Sequence, residues 1–430
     1  MKRLLASLLV GLLAVGTLTG CGKTEEVKPG DNGESKVEEK QEDKVVKIFN
    51  LKVEIAEQFE ALKTEFENTH PGIKVEVETA GGGVDYGAML KTKFASGNEP
   101  DIFINGGNSE FELWSEKLED LSDQPWVENL NAGTVDSITK DGKIYGQPVN
   151  IEGFGFLYNK DLFAQAGITE EPNSFDELQE AVNKLNEAGI TPFSNGYQEW
   201  WILGMHTINA MLSQQDDPEA FINGLKEGTV NLQDNAVANK WVELLDLTVA
   251  NGQKNPLTVD YNTQVTDFAA SKTAMMQQGN WTQPQIDEID PELNVGVLPM
   301  PSKDGVVDSI FVGVPSYYVM NKDSAVKEEA KEFLNWMVSS EIGQKYIVEE
   351  FKFIPAFNNI EYKSEDLGFI ADAVGKYSKA GKTFGWKWTL LPDGSTQEIG
   401  AAMQEYIAGE VNKDQFLDKI EDLVVQFATK

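Results

Sequence analysis

Tryptophan stands beside amide, carboxylate or other polar side chains in four short stretches: 106–114 (GGNSEFELW), 194–201 (SNGYQEWW), 277–285 (QQGNWTQPQ) and 382–394 (KTFGWKWTLLPDG). Residues of these types can hold a molecule. An indole face stacks on apolar surface, while amides and carboxylates exchange hydrogen bonds with polar groups. Groups that drive covalent or metal chemistry are sparse. The chain has two histidines, His70 and His206, and one cysteine, Cys21. No His/Cys/Asp/Glu set has zinc-site spacing, and neither a Walker loop nor G-x-S-x-G occurs. The expectation is a site with no catalytic group, no cofactor and no metal.

The cysteine closes an apolar leader. Lys2 and Arg3 precede an uncharged run from Leu4 to Leu18, too short for a comfortable membrane span and flanked like an export signal. Leu18-Thr19-Gly20-Cys21 resembles the lipobox of bacterial lipoproteins, in which the thiol is lipidated and the chain is cut just before it. That resemblance implies a signal peptide over 1–20 and a lipid anchor, such as palmitate, on Cys21. The anchor would hold the protein at the extracellular face of the cytoplasmic membrane without crossing it. After Cys21, the run to residue 44 has almost no apolar content and contains Pro29, Gly30 and Gly33. Residues 21–44 are expected to be a flexible acidic tether.

Elements that could position the tryptophan stretches follow. The chain has 430 residues, enough for two domains, and Cys21 has no disulfide partner, so the cores must supply the stability. Its net charge of −34 repels nucleic acid and anionic headgroups and says little about a neutral ligand. Residues 45–50 (VVKIFN), 73–80 (IKVEVETA) and 101–106 (DIFING) read as strands. Between the first two, Ile55, Phe59, Leu62 and Phe66 recur at helical spacing, and His70-Pro71-Gly72 stops that helix. A flexible turn at Gly81-Gly82-Gly83 and a further helix lead to the third strand. The alternation is that of a parallel α/β layer. A second α/β unit begins after residue 142. There a helix from Lys160, a capping box at Ser174 and Glu177, and strands at 190–196, 273–279 and 293–301 are expected. A long helix from Lys327 to Val338 and amphipathic helices from Gln397 to Phe427 complete an α/β chain.

Several stretches together resemble the ABC-transporter extracellular solute-binding proteins for carbohydrates (family 1), the group that includes maltose-binding protein. The resemblance runs through Phe66-Glu67-Asn68, Pro71 to Val75, Glu99 to Phe103, YGQPVNIEGFGFLYNKDLFAQAGI (145–168), PNSFDEL (172–178), AMMQQGNW (274–281) and FIPAF (353–357). It covers essentially the whole chain. It implies a two-lobed, periplasmic-binding-protein-like fold (type II) with a ligand cleft between the lobes. On that plan lobe one is 45–152 plus 311–350, and lobe two is 153–310 plus 351–430. It also implies extracellular capture of a sugar or oligosaccharide and delivery to ABC permease transmembrane subunits served by a cytoplasmic ATPase, by a protein that is a monomer and not an enzyme.

A pyranose asks for indole faces and for donors and acceptors on loops at strand ends. After the first strand Glu54 is the candidate acceptor, or else a helix first-turn acid. After the third, Asn108 and Ser109 could meet hydroxyls, Glu110 could cap the next helix, and Trp114 reads as core. Glu152, at the expected crossing between lobes, either reaches the cleft or serves as a hinge acid. Asn195, Gln198 and Glu199 lie beside two tryptophans, of which Trp200 is the choice for stacking. Asn280 and Trp281 match the family's ligand-facing loop. Gly313 would permit close ligand approach. Trp386, on the same side as Trp388 if that segment is extended, would line the pocket or pin its loop. Three rivals keep some of these features: the same fold binding a polyamine or other small solute, a lipid-anchored carbohydrate-active enzyme with two carboxylates across the cleft, and a surface adhesin or sensor partner using the same fold.

Overall fold

In the computed structural model the described residues are 43–81 and 84–429. Cys21, the leader, the tether before residue 43, and Gly82 and Gly83 of the expected turn lie outside them.

The opening strand, Lys44–Asn50, buries Val46, Ile48 and Phe49 and pairs in parallel with Ile73–Thr79 on one side and Ile102–Asn105 on the other. The helix between the first two, Ala56–Thr69, turns Phe59, Leu62 and Phe66 inward, as their spacing dictates. Those rings meet Phe333 and Trp336 of the helix Lys327–Ser339, with Phe66 5.1 Å from Phe333 and 5.3 Å from Trp336. Two antiparallel strands, Tyr317–Met320 and then Gly146–Pro148, complete this five-stranded sheet.

The second sheet is built around Glu152–Asn159, a strand buried at every position. Thr273–Gly279 pairs along one edge of it and carries Thr191–Ser194 beyond. Val295–Leu298 and Ile310–Gly313 share its other edge, the latter pairing onward with Thr383–Phe384. The strand Ile310–Gly313 thus belongs to the second sheet, although the sequence division was expected at residue 311. Glu152 likewise starts a strand of the second sheet.

Helix ends follow local chemistry. Ser174 accepts a hydrogen bond from the Glu177 N–H at 3.3 Å, while the Glu177 carboxylate accepts from Asn173 N–H instead of Ser174, so only half of the expected capping box forms. The complete box is at Asn412 and Gln415, opening the helix Lys413–Ala428. That helix and Ser395–Ile407 pack on each other, with Phe416 stacked on Tyr406 at 4.7 Å. Among the described residues no helix is long and apolar enough to cross a membrane.

Three segments run side by side where the chain passes between the sheets. The Val149 N–H donates to Ser316 O at 3.0 Å, and the Ile151 N–H donates to Ile354 O at 2.8 Å. Glu152 and Gly313 are register partners.

Candidate functional site

The first sheet offers a charged corner beside these crossings. Lys52 leaves the end of the opening strand and its side chain is buried. The turn there is fixed by Asn50, whose side chain donates to Lys52 O at 3.2 Å and accepts from Lys52 N–H at 3.3 Å. The ammonium touches Glu152, lies 3.7 Å from Glu54, and sits 5.9 Å above the Phe353 ring. Asn150 adds a second donor to Glu152 at 3.1 Å. Burial pulls the Lys52 pKa down, but Glu152 and Glu54 outweigh it and hold it above the usual lysine value. Burial pushes Glu54 up, and Lys52 only partly offsets that.

The second sheet answers with rings. Phe154 on the crossing strand stacks on His206 at 4.5 Å, and Trp281 and Trp386 lie 5.1 and 5.7 Å from that imidazole. Trp281 and Trp386 meet edge to face at 6.4 Å. Trp201 adds an edge 5.2 Å from His206 and 5.6 Å from Tyr261. A π-helical turn, Ile202–Thr207, delivers His206 to this cluster. Burial and the charge of Lys52 depress His206 to about 3, so its imidazole is neutral and can accept from Gln277 Nε2 at 3.3 Å. Tyr261 is pushed well above its ordinary value by burial and by Glu54 and Glu152; the charged corner and the rings share the strand Glu152–Asn159, which carries Glu152 and, two residues on, Phe154. Among the described residues, Asn280 Nδ2, Trp386 Nε1, Trp388 Nε1, Gln277 Oε1 and Asn150 Oδ1 are buried without a hydrogen-bond partner. Each such group costs about 1–3 kcal/mol unless something satisfies it.

Of the residues expected from sequence, Glu54, Glu152, Asn280, Trp281 and Trp386 come together here. Asn280 accepts from Gly153 N–H at 2.8 Å, fixing its amide against the crossing strand. Gly279 is required locally, since a Cβ there would lie 2.2 Å from the Trp281 ring. Gly313 is explained differently from the expectation: the space over it is filled by the Trp386 ring, 3.0 Å from a Cβ built there. The Trp386 segment is not extended, because Lys387–Leu390 forms a 3-10 turn held by Asn209, which accepts from Lys387 and Trp388 N–H at 2.7 and 3.2 Å. Trp386 therefore lines the ring cluster in a loop that is itself pinned.

Others stand apart. Asn108 donates to Thr389 Oγ1 at 2.8 Å, tying the first-sheet side to the Trp386 loop, and Ser109 follows it in the helix Asn108–Trp114. Trp114 is core against Phe94 and Phe103. The Glu110 carboxylate accepts from Gly106 N–H at 2.7 Å and is raised to about 7, chiefly by burial. The Asn195 amide is spent on Thr248 O at 2.7 Å, and Gln198 is exposed. Glu199 accepts from Tyr261 N–H at 3.2 Å, at the edge of the cluster. Trp200 packs its backbone against Gly400, and it is Trp201 that enters the ring cluster. Lys52, Asn150, Phe154, Trp201, His206 and Tyr261 were missed. The N-L-K-V-E stretch held a signal for the first: a lysine two residues before an acid, just past a buried strand.

A family model described as bacterial extracellular solute-binding protein matches residues 52–344. Among curated proteins, the multiple sugar-binding protein of Streptococcus mutans is 26% identical over 347 residues, covering 79% of each chain. The melibiose/raffinose/stachyose-binding protein MelE of Bacillus subtilis is 24% identical over 364 residues, 81% of this chain and 82% of that one. A solved sugar transporter protein from Bacillus licheniformis, in complex with stachyose, superposes with a TM-score of 0.74 at 23% identity, covering 90% of this chain and 99% of that one. The fold is the two-lobed α/β arrangement with its cleft between the lobes.

Proposed function

The chain belongs to the bacterial extracellular solute-binding proteins, and from that premise we propose that it captures a sugar or oligosaccharide and delivers it to an ABC importer, without chemistry of its own. The observation that carries the reading is the buried ring cluster of Trp281 and Trp386 against Phe154, on the strand whose first residue, Glu152, meets Lys52 and Glu54, together with the unpartnered Asn280 Nδ2 and Trp386 Nε1. Sugar rings present apolar C–H faces to indoles and hydroxyls to carboxylates and amides, and charged acceptors bind hydroxyls more strongly than neutral ones. The multiple sugar-binding protein of Streptococcus mutans and MelE, the melibiose/raffinose/stachyose-binding protein of Bacillus subtilis, support the same class of ligand.

We place the lobe boundaries at the three crossings, so that lobe one takes 45–151 plus 314–350 and lobe two takes 152–313 plus 351–430. Ligand biases the lobes toward the closed form, and the closed form is what a permease pair reads. A monomer tethered through lipidated Cys21 at the outer face of the membrane suits that role. Replacing Cys21 by serine is expected to release the protein from membranes.

Titration calorimetry with raffinose, stachyose and a wider saccharide panel tests the reading. One class of saccharide is expected to bind, and Trp281→Ala is expected to weaken it by about 2 kcal/mol or more. A panel without binders overturns the reading.

A further inference from the structure

We propose that Glu54 sets the charge that the site accepts: neutral and aminated saccharides enter, and saccharides bearing a carboxylate or phosphate are turned away. This deepens the sugar reading above and rests on it. Three buried charged side chains meet at the corner, Lys52 with Glu152 and Glu54, and their side-chain exposures are 9%, 4% and 8%. Two ionised carboxylates on one ammonium leave a single negative charge; burial works against the ionisation of Glu54 and the Lys52 ammonium beside it works for it. Glu152, in direct contact with Lys52, is the carboxylate that the lysine neutralises; Glu54, at 3.7 Å, is the one left underpaired.

Nothing else in the cluster reverses that sign. His206 is buried among rings and lies near Lys52, so it stays neutral. The unpartnered donors, Asn280 Nδ2 and the indole N–H groups of Trp386 and Trp388, are uncharged. The chain contains one arginine, Arg3, so among the described residues no guanidinium is present to grip a carboxylate or phosphate through two parallel bonds. An anionic ligand would meet a like charge inside a site where water and salt screen weakly. A hydroxyl or an ammonium meets in Glu54 an acceptor that is not saturated.

The test uses one saccharide in three charge states, so that shape is held nearly constant. Raffinose is compared with its derivatives in which the terminal galactose C6 hydroxyl is oxidised to a carboxylate or replaced by an amine, with spermidine as a non-saccharide cation. Calorimetry on the whole protein is expected to show the carboxylate form at least about tenfold weaker than raffinose and the amine form equal or tighter. In Glu54→Gln, which keeps the side-chain shape and leaves Lys52 with Glu152, the penalty on the carboxylate form is expected to shrink to within about threefold. The ratio in the unsubstituted protein is informative even where that variant folds poorly. A carboxylate form that binds as well as raffinose overturns charge selection and leaves the sugar reading standing. Binding of spermidine with no saccharide bound overturns the sugar reading and supports the charge assignment. An unchanged ratio in a folded Glu54→Gln protein removes Glu54 from the role.

Discussion

His206 is a buried imidazole that the fold needs uncharged. Its pKa lies near 3 because burial disfavours the cation and Lys52 repels it. The unfolded chain binds that proton near the ordinary value, so the stability His206 supports is complete above about pH 6.5 and is lost as pH falls toward 3. Between about pH 7.5 and pH 4.5 its share of the loss is about 2–3 kcal/mol. Glu110 acts in the opposite direction over part of that window: a carboxyl raised to about 7 in the fold becomes less unfavourable as acid protonates it. Denaturant titrations of His206→Phe and the unsubstituted protein at both pH values separate the two, and the variant is expected to lose about 2–3 kcal/mol less on acidification. An equal loss in both would mean that His206 is not buried uncharged. At this scale the sequence pointed to part of the cluster of rings and charges. Trp281 and Asn280 were legible because a strand, a glycine and an indole follow one another locally. Lys52 and His206 were not, because each acquires its role from residues a hundred or more positions away, Glu152 for one and Trp386 for the other.

Elements were easier to read than sites, since apolar spacing states which face is buried. The helix over Ala56–Thr69 and the strand Thr273–Gly279 stand where periodicity put them. Segments without periodicity stayed open: 382–394 reads as a loop, and the condition that Trp386 and Trp388 share an extended stretch is not met, because Asn209, nearly two hundred residues earlier, holds two N–H groups of the turn Lys387–Leu390. That loop also ties the two sides of the site together through the Asn108 to Thr389 hydrogen bond and the exposed Lys91–Asp393 pair at 3.0 Å. Asn108→Ala and Thr389→Val are each expected to weaken saccharide binding by about 1 kcal/mol, with no further loss in the double variant, read by calorimetry. Breaking Lys91–Asp393 is expected to cost under about 1 kcal/mol and to vanish in high salt. A third element is fixed by close backbone approach. A Cβ on Gly204 would fall 1.9 Å from Thr396 O, where the π-helical turn crosses the helix Ser395–Ile407. Gly204→Ala is therefore expected to lower stability by about 3 kcal/mol in denaturant unfolding and to shift His206 with the turn that carries it.

Taken whole, the molecule joins two sheets through three crossing segments: Lys52 and Glu54 follow a strand of the first, Glu152 opens a strand of the second and meets Lys52, and the rings gather on the second. The α/β alternation and the ordered family motifs made that plan legible in sequence. The assignment of Ile310–Gly313 to the second sheet was not, because two apolar strands four residues apart give no hint that the chain changes sheets between them. The net charge of −34 spreads over surface that this account leaves to solubility. Its central claim is that a saccharide is held between the two sides, against Trp281 and Trp386 and within hydrogen-bond reach of Glu54 or Glu152. A crystal structure of the protein grown with the tightest saccharide of the panel tests it most directly. The account predicts a sugar ring stacked on one of those indoles with a hydroxyl on one of those carboxylates. Sugar density on the outer surface, with the ring cluster and the Lys52 corner unchanged, would contradict it.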